Sequence, residues 1–216
     1  MSTPSLPPIS SLPTADEETI KAVLDALFEP SPEIHAIAVP AIQQRGRIPA
    51  NPGLAADLPA PLAPSTTIPD DIPFTSYASL IQHIGALLHR LIISSSSSSS
   101  SPSSPAARNK LHGILGSHPR LGAKKVDSAQ SRAEQAQLNT GAADEAERLA
   151  GLNREYEARF PGLRYVVFVN GRSRDVVMED MRRRIDRGDI RAEETEGIQA
   201  MVDIALDRAA KLGSTG

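Results

Sequence analysis

The pair His118-Pro119 is the first place in the chain where residue types and spacing suggest chemistry. It follows an apolar helical run, and proline disfavours the α conformation in the residue before it, so the helix is predicted to end near His118. His118 continues the i, i+3, i+4, i+7 face of that run, so its imidazole is predicted to point into the interior. The apolar positions of the run are Leu111, Ile114 and Leu115.

A histidine in this position has two interpretations. It is either a buried core residue with a satisfied ring or an acid/base group. An imidazole with a reference pKa of about 6.5 exchanges protons readily at neutral pH. Pro119 would fix the direction of the backbone beside it.

The second candidate is the stretch "SRAEQ", residues 131–135, which looks helical with its neighbours. Ser-x-x-Glu is the pattern of a capping box, with Ser131 as the cap and Glu134 reaching back to its amide. The same stretch also offers a carboxylate, Glu134, with Ser131 and Gln135 beside it as site residues. The spacing alone leaves both interpretations open.

The third candidate is "NGRSR", residues 170–174, where a turn precedes a predicted helix N-terminus. Such a place binds anions readily. Arg172 could donate two hydrogen bonds to a carboxylate or a ureido oxygen, with Asn170 beside it. A surface arginine that follows a turn is the alternative.

Composition excludes several other chemistries. The chain of 216 residues has a formal charge of −3 and no cysteine, which argues against nucleic-acid partners, disulfides and thiolate sites. It has no phosphate-cradling glycine motif for a nucleotide, and its five histidines show no metal-ligand spacing. We therefore predict no metal and no nucleotide cofactor.

The chain also lacks the signals of export and membrane insertion. Its start has no basic region followed by an apolar core, and no apolar run approaches the roughly 20 residues of a membrane span. The ending "KLGSTG" is not the peroxisomal tripeptide. These features predict a soluble protein of the cytoplasm or the peroxisome, with no membrane partner.

Helical periodicity dominates the chain and predicts an all-α fold with a single helical domain. The domain is expected over residues 15–213, after a disordered leader at 1–14 and with a flexible polyserine insertion at 94–105. The only strand-like run is "RYVVFV", residues 164–169, since its one potential partner, "AIAVPAI", contains a proline. We expect "RYVVFV" to be a buried core segment, either extended or helical.

The stretch "EDMRRRIDRGDIRAEE" carries five arginines among six acids. This mixture favours a solvated helix face with ion pairs over a phosphate-binding stripe.

Several stretches together resemble a known family. They are "FEPSPEI", "PFTSYASLI", "HPRLG", "SRAEQ" and "LNREYEARFPGLRYVVFVNGRSRDVVMEDMRRRI". In this order they resemble the 2-oxo-4-hydroxy-4-carboxy-5-ureidoimidazoline (OHCU) decarboxylases of urate degradation, in a form like the fungal members. The resemblance covers residues 18–212, apart from the proline-rich stretch at 48–73 and the polyserine segment.

The resemblance implies a compact all-helical enzyme, usually a homodimer, that needs no metal and no organic cofactor. It implies loss of CO2 from OHCU, a small-molecule substrate, to give (S)-allantoin. It assigns acid/base catalysis to His118 and Glu134, with Pro119 shaping the pocket and Ser131 and Gln135 as neighbours. The family's arginine corresponds to the position of Asn170 in some members and to Arg172 in members with a Gly-Arg pair.

Two other functions stay open at this point. One is an acid/base enzyme that acts on a related ureide or hydantoin. The other is a non-catalytic helical interaction module, in which the proline-rich and polyserine segments would bind partners.

Overall fold

The computed structural model describes residues 5–46, 73–94, 105–122, 131 and 143–213. In these ranges it contains one 3₁₀ helix and seven α-helices and no strand, which confirms the all-α prediction. The elements are the 3₁₀ helix Ile9–Thr14, α1 Glu17–Phe28, α2 Pro32–Gly46, α3 Tyr77–Ser94, α4 Pro105–Leu115, α5 Ala143–Arg159, α6 Arg174–Arg187 and α7 Ile190–Gly213.

The long helix α7 packs against α3, α1 and α4 and so passes through the centre of the fold. Its apolar face is continuous and buried, as its 3.6-residue periodicity predicts. Gly85 allows α3 to approach closely, because a Cβ at this position would lie 2.8 Å from Cγ2 of Val202. Leucine and isoleucine recur at helical spacing along α3, and its buried positions include Leu80, Ile81, Ile84 and Leu88.

The N-terminal segment differs from the predicted disordered leader over residues 9–14. These residues form the 3₁₀ helix, and Leu12 is completely buried in the core. The hydroxyl of Tyr77 also donates a hydrogen bond to the carbonyl of Pro7, at 2.8 Å. Proline and serine content indicates disorder, but burial of Leu12 and Pro13 and the bond from Tyr77 order this segment.

The run "RYVVFV" is irregular rather than helical, and Tyr165 and Val166 are buried in it, as expected of a core segment. The other strand candidate, "AIAVPAI", lies within α2, which accommodates Pro40. Most of the proline-rich stretch and of the polyserine insertion lies outside the described residues.

The arginine-rich stretch forms ion pairs, but the prediction of a solvated face is wrong for its central pair. Arg184 is 3% exposed and Glu193 is 1% exposed, and Nε of Arg184 donates to Oε1 of Glu193 at 2.8 Å. The hydroxyl of Tyr156 donates to the same carboxylate oxygen at 2.5 Å. The turn at Gly188, with φ of 62°, ends α6 and places Glu193, in the first turn of α7, against Arg184.

Candidate active site

His118 lies just beyond the end of α4, in the position that the sequence predicts for an inward-facing ring. The helix ends at Leu115, three residues before His118, and a turn follows in which Gly116 N–H donates to the carbonyl of His112 at 2.8 Å. The His118 side chain nevertheless points inward, since the residue is only 5% exposed. Its direction is therefore set by the turn and by Pro119 rather than by the helix itself.

The imidazole of His118 has a free nitrogen and stays uncharged. Among the described residues, Nε2 has no hydrogen-bond partner although the atom is buried. Burial lowers the pKa of His118 from 6.5 to about 4, with help from the positive charges of Arg208 and Arg164 and against the negative charge of Glu29. At neutral pH the ring is therefore a neutral base whose free nitrogen can accept a proton.

A cluster of three buried polar residues lies near His118. Two of them, Glu29 and Arg208, influence its charge, and the third, Ser131, bonds to both. We call Glu29, Ser131 and Arg208 the glutamate cluster. Nη2 of Arg208 donates to Oε1 of Glu29 at 2.7 Å and to Oγ of Ser131 at 3.0 Å. Oγ of Ser131 in turn donates to Oε1 of Glu29 at 2.5 Å. All three residues are 3% exposed or less, so the ion pair is shielded from water.

Glu29 is held in an unusual backbone conformation. It follows the last residue of α1 and has φ of 77°, in the left-handed region that non-glycine residues rarely adopt. Such a conformation persists only where its surroundings stabilise it, and here the salt bridge and the serine hydroxyl supply that stabilisation.

The structure brings Ser131 into this cluster, but it does not test the other residues of "SRAEQ". Ser131 is helical, and its hydroxyl donates to Glu29 across 102 positions of sequence. Glu134 and Gln135 lie outside the described residues. The assignment of Glu134 as the second catalytic group therefore stays a prediction.

Asn170 and Arg172 lie in a different place. They line an open groove of about 380 Å³. The Arg172 guanidinium folds back on its own loop, with Nε donating to the carbonyl of Val169 at 3.2 Å. Within the described residues, no hydrogen bond or ion pair joins the groove to His118. The other lining residues are Val167, Phe168, Asp180, Arg184, Glu196, Gln199, Ala200 and Asp203.

Sequence reasoning missed Glu29, Arg208 and Arg164 as residues around the site. Arg208 carries a detectable signal, because it occupies the apolar face of α7 between Ala205 and Leu212. A long cation on a buried stripe requires an anion, so the sequence signals a buried ion pair although it does not identify Glu29 as the partner.

A helical protein that buries a neutral imidazole beside charged groups contains the kind of residues that acid/base enzymes use. The family model described as OHCU decarboxylase matches residues 13–210, and the chain belongs to this family of carboxy-lyases. The protein is therefore a decarboxylase with a role in urate degradation that acts on a small molecule. Comparison with curated proteins gives no match.

Metal binding and membrane insertion find no support in the described residues. In that part of the chain, no three His, Asp or Glu side chains are grouped so that they could hold a metal ion. None of the described helices has both the length and the apolar character to cross a membrane. The absence of metal and organic cofactors from the reaction stays a prediction.

The buried neutral ring of His118 should make the protein less stable in weak acid. Between pH 6.5 and about 4 the unfolded chain binds a proton on this histidine and the folded protein does not, so the free energy of unfolding falls as the pH falls. The full contribution is on the order of 3 kcal/mol. Denaturant titrations at several pH values should show this loss in the wild type and not in His118→Asn. Identical pH dependence in the two proteins would contradict a neutral buried ring.

Proposed function

We propose that the enzyme decarboxylates OHCU to (S)-allantoin, with His118 as the acid/base group. The observation that supports this most directly is the buried imidazole, which is neutral and has a free nitrogen. Membership of the OHCU decarboxylase family points to the same substrate.

The substrate contains its own electron acceptor. The carbon that carries the carboxylate also carries a hydroxyl and lies next to a ring C=N bond. When the bond to CO2 breaks, its electron pair therefore moves into the imine. The enzyme has to hold the carboxylate out of the plane of the ring, remove the hydroxyl proton and protonate one face of the neighbouring carbon.

His118 can serve both proton transfers. As a neutral base it accepts the hydroxyl proton while CO2 leaves and the carbonyl begins to form. The resulting imidazolium then returns that proton to the neighbouring carbon, which becomes the stereocentre, while the ring nitrogen that received the electron pair takes one proton from water. Transfer from one fixed ring to one face of the intermediate gives a single stereoisomer.

The remaining candidates are assigned supporting roles in this proposal. Glu134 shares the proton transfers with His118, and Pro119 shapes the wall of the pocket. Ser131 and Gln135 flank the site, while Arg172 or Asn170 orients the ureido group. The homodimer and the cellular compartment stay predictions.

The proposal is tested by generating the substrate in place. Urate oxidase and hydroxyisourate hydrolase produce OHCU from urate, and circular dichroism follows the product after the protein is added. We expect a rapid rise of the (S)-allantoin signal, well above the slow spontaneous reaction that gives racemate. Folded protein that leaves the spontaneous rate and the racemic product unchanged would overturn the proposal.

A further inference from the structure

The loop that carries His118 is held by hydrogen bonds from other parts of the chain rather than by its own helix. Because α4 ends at Leu115, its backbone hydrogen bonds do not extend to His118. We propose that Arg164 is a positioning residue for His118, which fixes the direction of the imidazole by binding the carbonyl of the same residue. This inference deepens the proposed function and rests on His118 being the acid/base group.

The central contact is between a side chain and the backbone. Nη1 of Arg164 donates a hydrogen bond to the carbonyl oxygen of His118 at 2.9 Å. That carbonyl belongs to the peptide bond that joins His118 to Pro119. The proline ring restricts ψ of His118 to the extended region, and the bond to Arg164 holds the carbonyl of the same peptide in place, so the two together set the direction of the His118 Cβ.

The far end of the loop is fixed by residues of α5. Nδ2 of Asn153, which is buried, donates to the carbonyl of Leu121 at 3.0 Å. Glu157, one helical turn later, accepts from Nε of Arg120 at 2.5 Å. The loop thus has one anchor near each end, and Arg164 supplies the anchor at the end that carries the imidazole.

Arg164 also contributes to the electrostatics of the ring. The charged groups that act on His118 are Arg164 from the irregular segment, Glu29 from the end of α1 and Arg208 from α7. The positive charge of Arg164 opposes protonation of the ring, so its removal should raise the pKa of His118. A purely structural contact elsewhere in the loop would leave this titration unchanged.

The test compares Arg164→Met, which removes both charge and donor, with Arg164→Lys, which keeps a cation and a donor. The control is Arg182→Met, the same change at an exposed position whose guanidinium pairs with Glu155 at 2.7 Å. We expect Arg164→Met to lower kcat on the order of 10²-fold with little change in KM. Arg164→Lys should recover part of the loss, and the control should resemble the wild type.

A second readout does not depend on turnover. NMR of ring-labelled histidine, with the His118 signal assigned through His118→Asn, should show the ring titrating at higher pH in Arg164→Met and near the wild-type value in Arg164→Lys. If Arg164→Met does not fold, Arg164→Lys tests the positioning role instead. Its shifted contact with the carbonyl should lower kcat and change the chemical shift of the His118 ring, while the ring still titrates near the wild-type pH.

The outcomes separate this inference from the proposed function. An inactive wild type overturns the function, and the NMR titration still tests the role of Arg164. Turnover within about twofold of the wild type in folded Arg164→Met overturns the positioning role. A raised KM with unchanged kcat also overturns it, because that result would mean that Arg164 binds the substrate directly.

Discussion

Replacing His118 with asparagine should lower kcat/KM for OHCU by roughly 10² to 10⁴-fold, the usual contribution of a positioned acid/base group. Asparagine keeps a polar side chain of similar size, but its amide cannot accept and return a proton at neutral pH. The loss should appear chiefly in kcat, since the ring acts on the reacting atoms in the proposed mechanism. The coupled assay that generates OHCU from urate measures it.

A matched control is available on α3. His89 is half-buried, and burial lowers its pKa as it does that of His118. His89→Asn makes the same chemical change and should leave turnover close to the wild type. If folded His118→Asn keeps more than about a tenth of wild-type kcat/KM, general acid/base catalysis by this residue is refuted.

The second large effect concerns stability. Glu29→Gln should lower the free energy of unfolding by about 3 to 5 kcal/mol, because it removes a carboxylate that pairs with the buried guanidinium of Arg208. Arg208 is 2% exposed, and its Nη1 donates to the carbonyl of Leu27 at 3.4 Å. A neutral amide in place of the carboxylate cannot compensate a guanidinium that water does not reach.

The double variant Glu29→Gln with Arg208→Met tests whether the loss of stability comes from the broken ion pair. It removes both charges, so its loss of stability should be smaller than that of Glu29→Gln alone. Glu155→Gln breaks an exposed ion pair and should cost no more than about 1 kcal/mol. Urea unfolding measures all three variants, and a loss below about 1 kcal/mol for Glu29→Gln would mean that the ion pair is not shielded as described.

Periodicity predicted the helices well where a helix has one apolar face. The positions of α1 and α3 follow from their leucine and isoleucine spacing, and both elements are confirmed. The order of residues 9–14 was not predictable in this way, because it depends on Leu12 filling a space between helices that are distant in sequence. Local composition contains no information about such a space.

The candidate site was predictable in part for the same reason. The inward direction of His118 is predicted by continuing the apolar face of the helix and is confirmed, but the helix ends at Leu115, so the turn and Pro119 set that direction instead. The groups that tune this ring come from distant elements, and helical periodicity does not pair Glu29 with Arg208. Likewise, local pattern marks Arg172 as exposed after a turn but does not reveal that its guanidinium bonds to its own loop.

The glutamate cluster also has a consequence for the order in which the protein can be assembled. Glu29 and Arg208 are 179 positions apart, and Arg208 and Ser131 are 77 positions apart. During synthesis the chain emerges from its N-terminus, so Glu29 is made long before Arg208 and cannot pair with it until α7 has been synthesised. The ion pair beside the His118 ring therefore forms late, and a chain that stops before α7 lacks the arginine that pairs with this carboxylate.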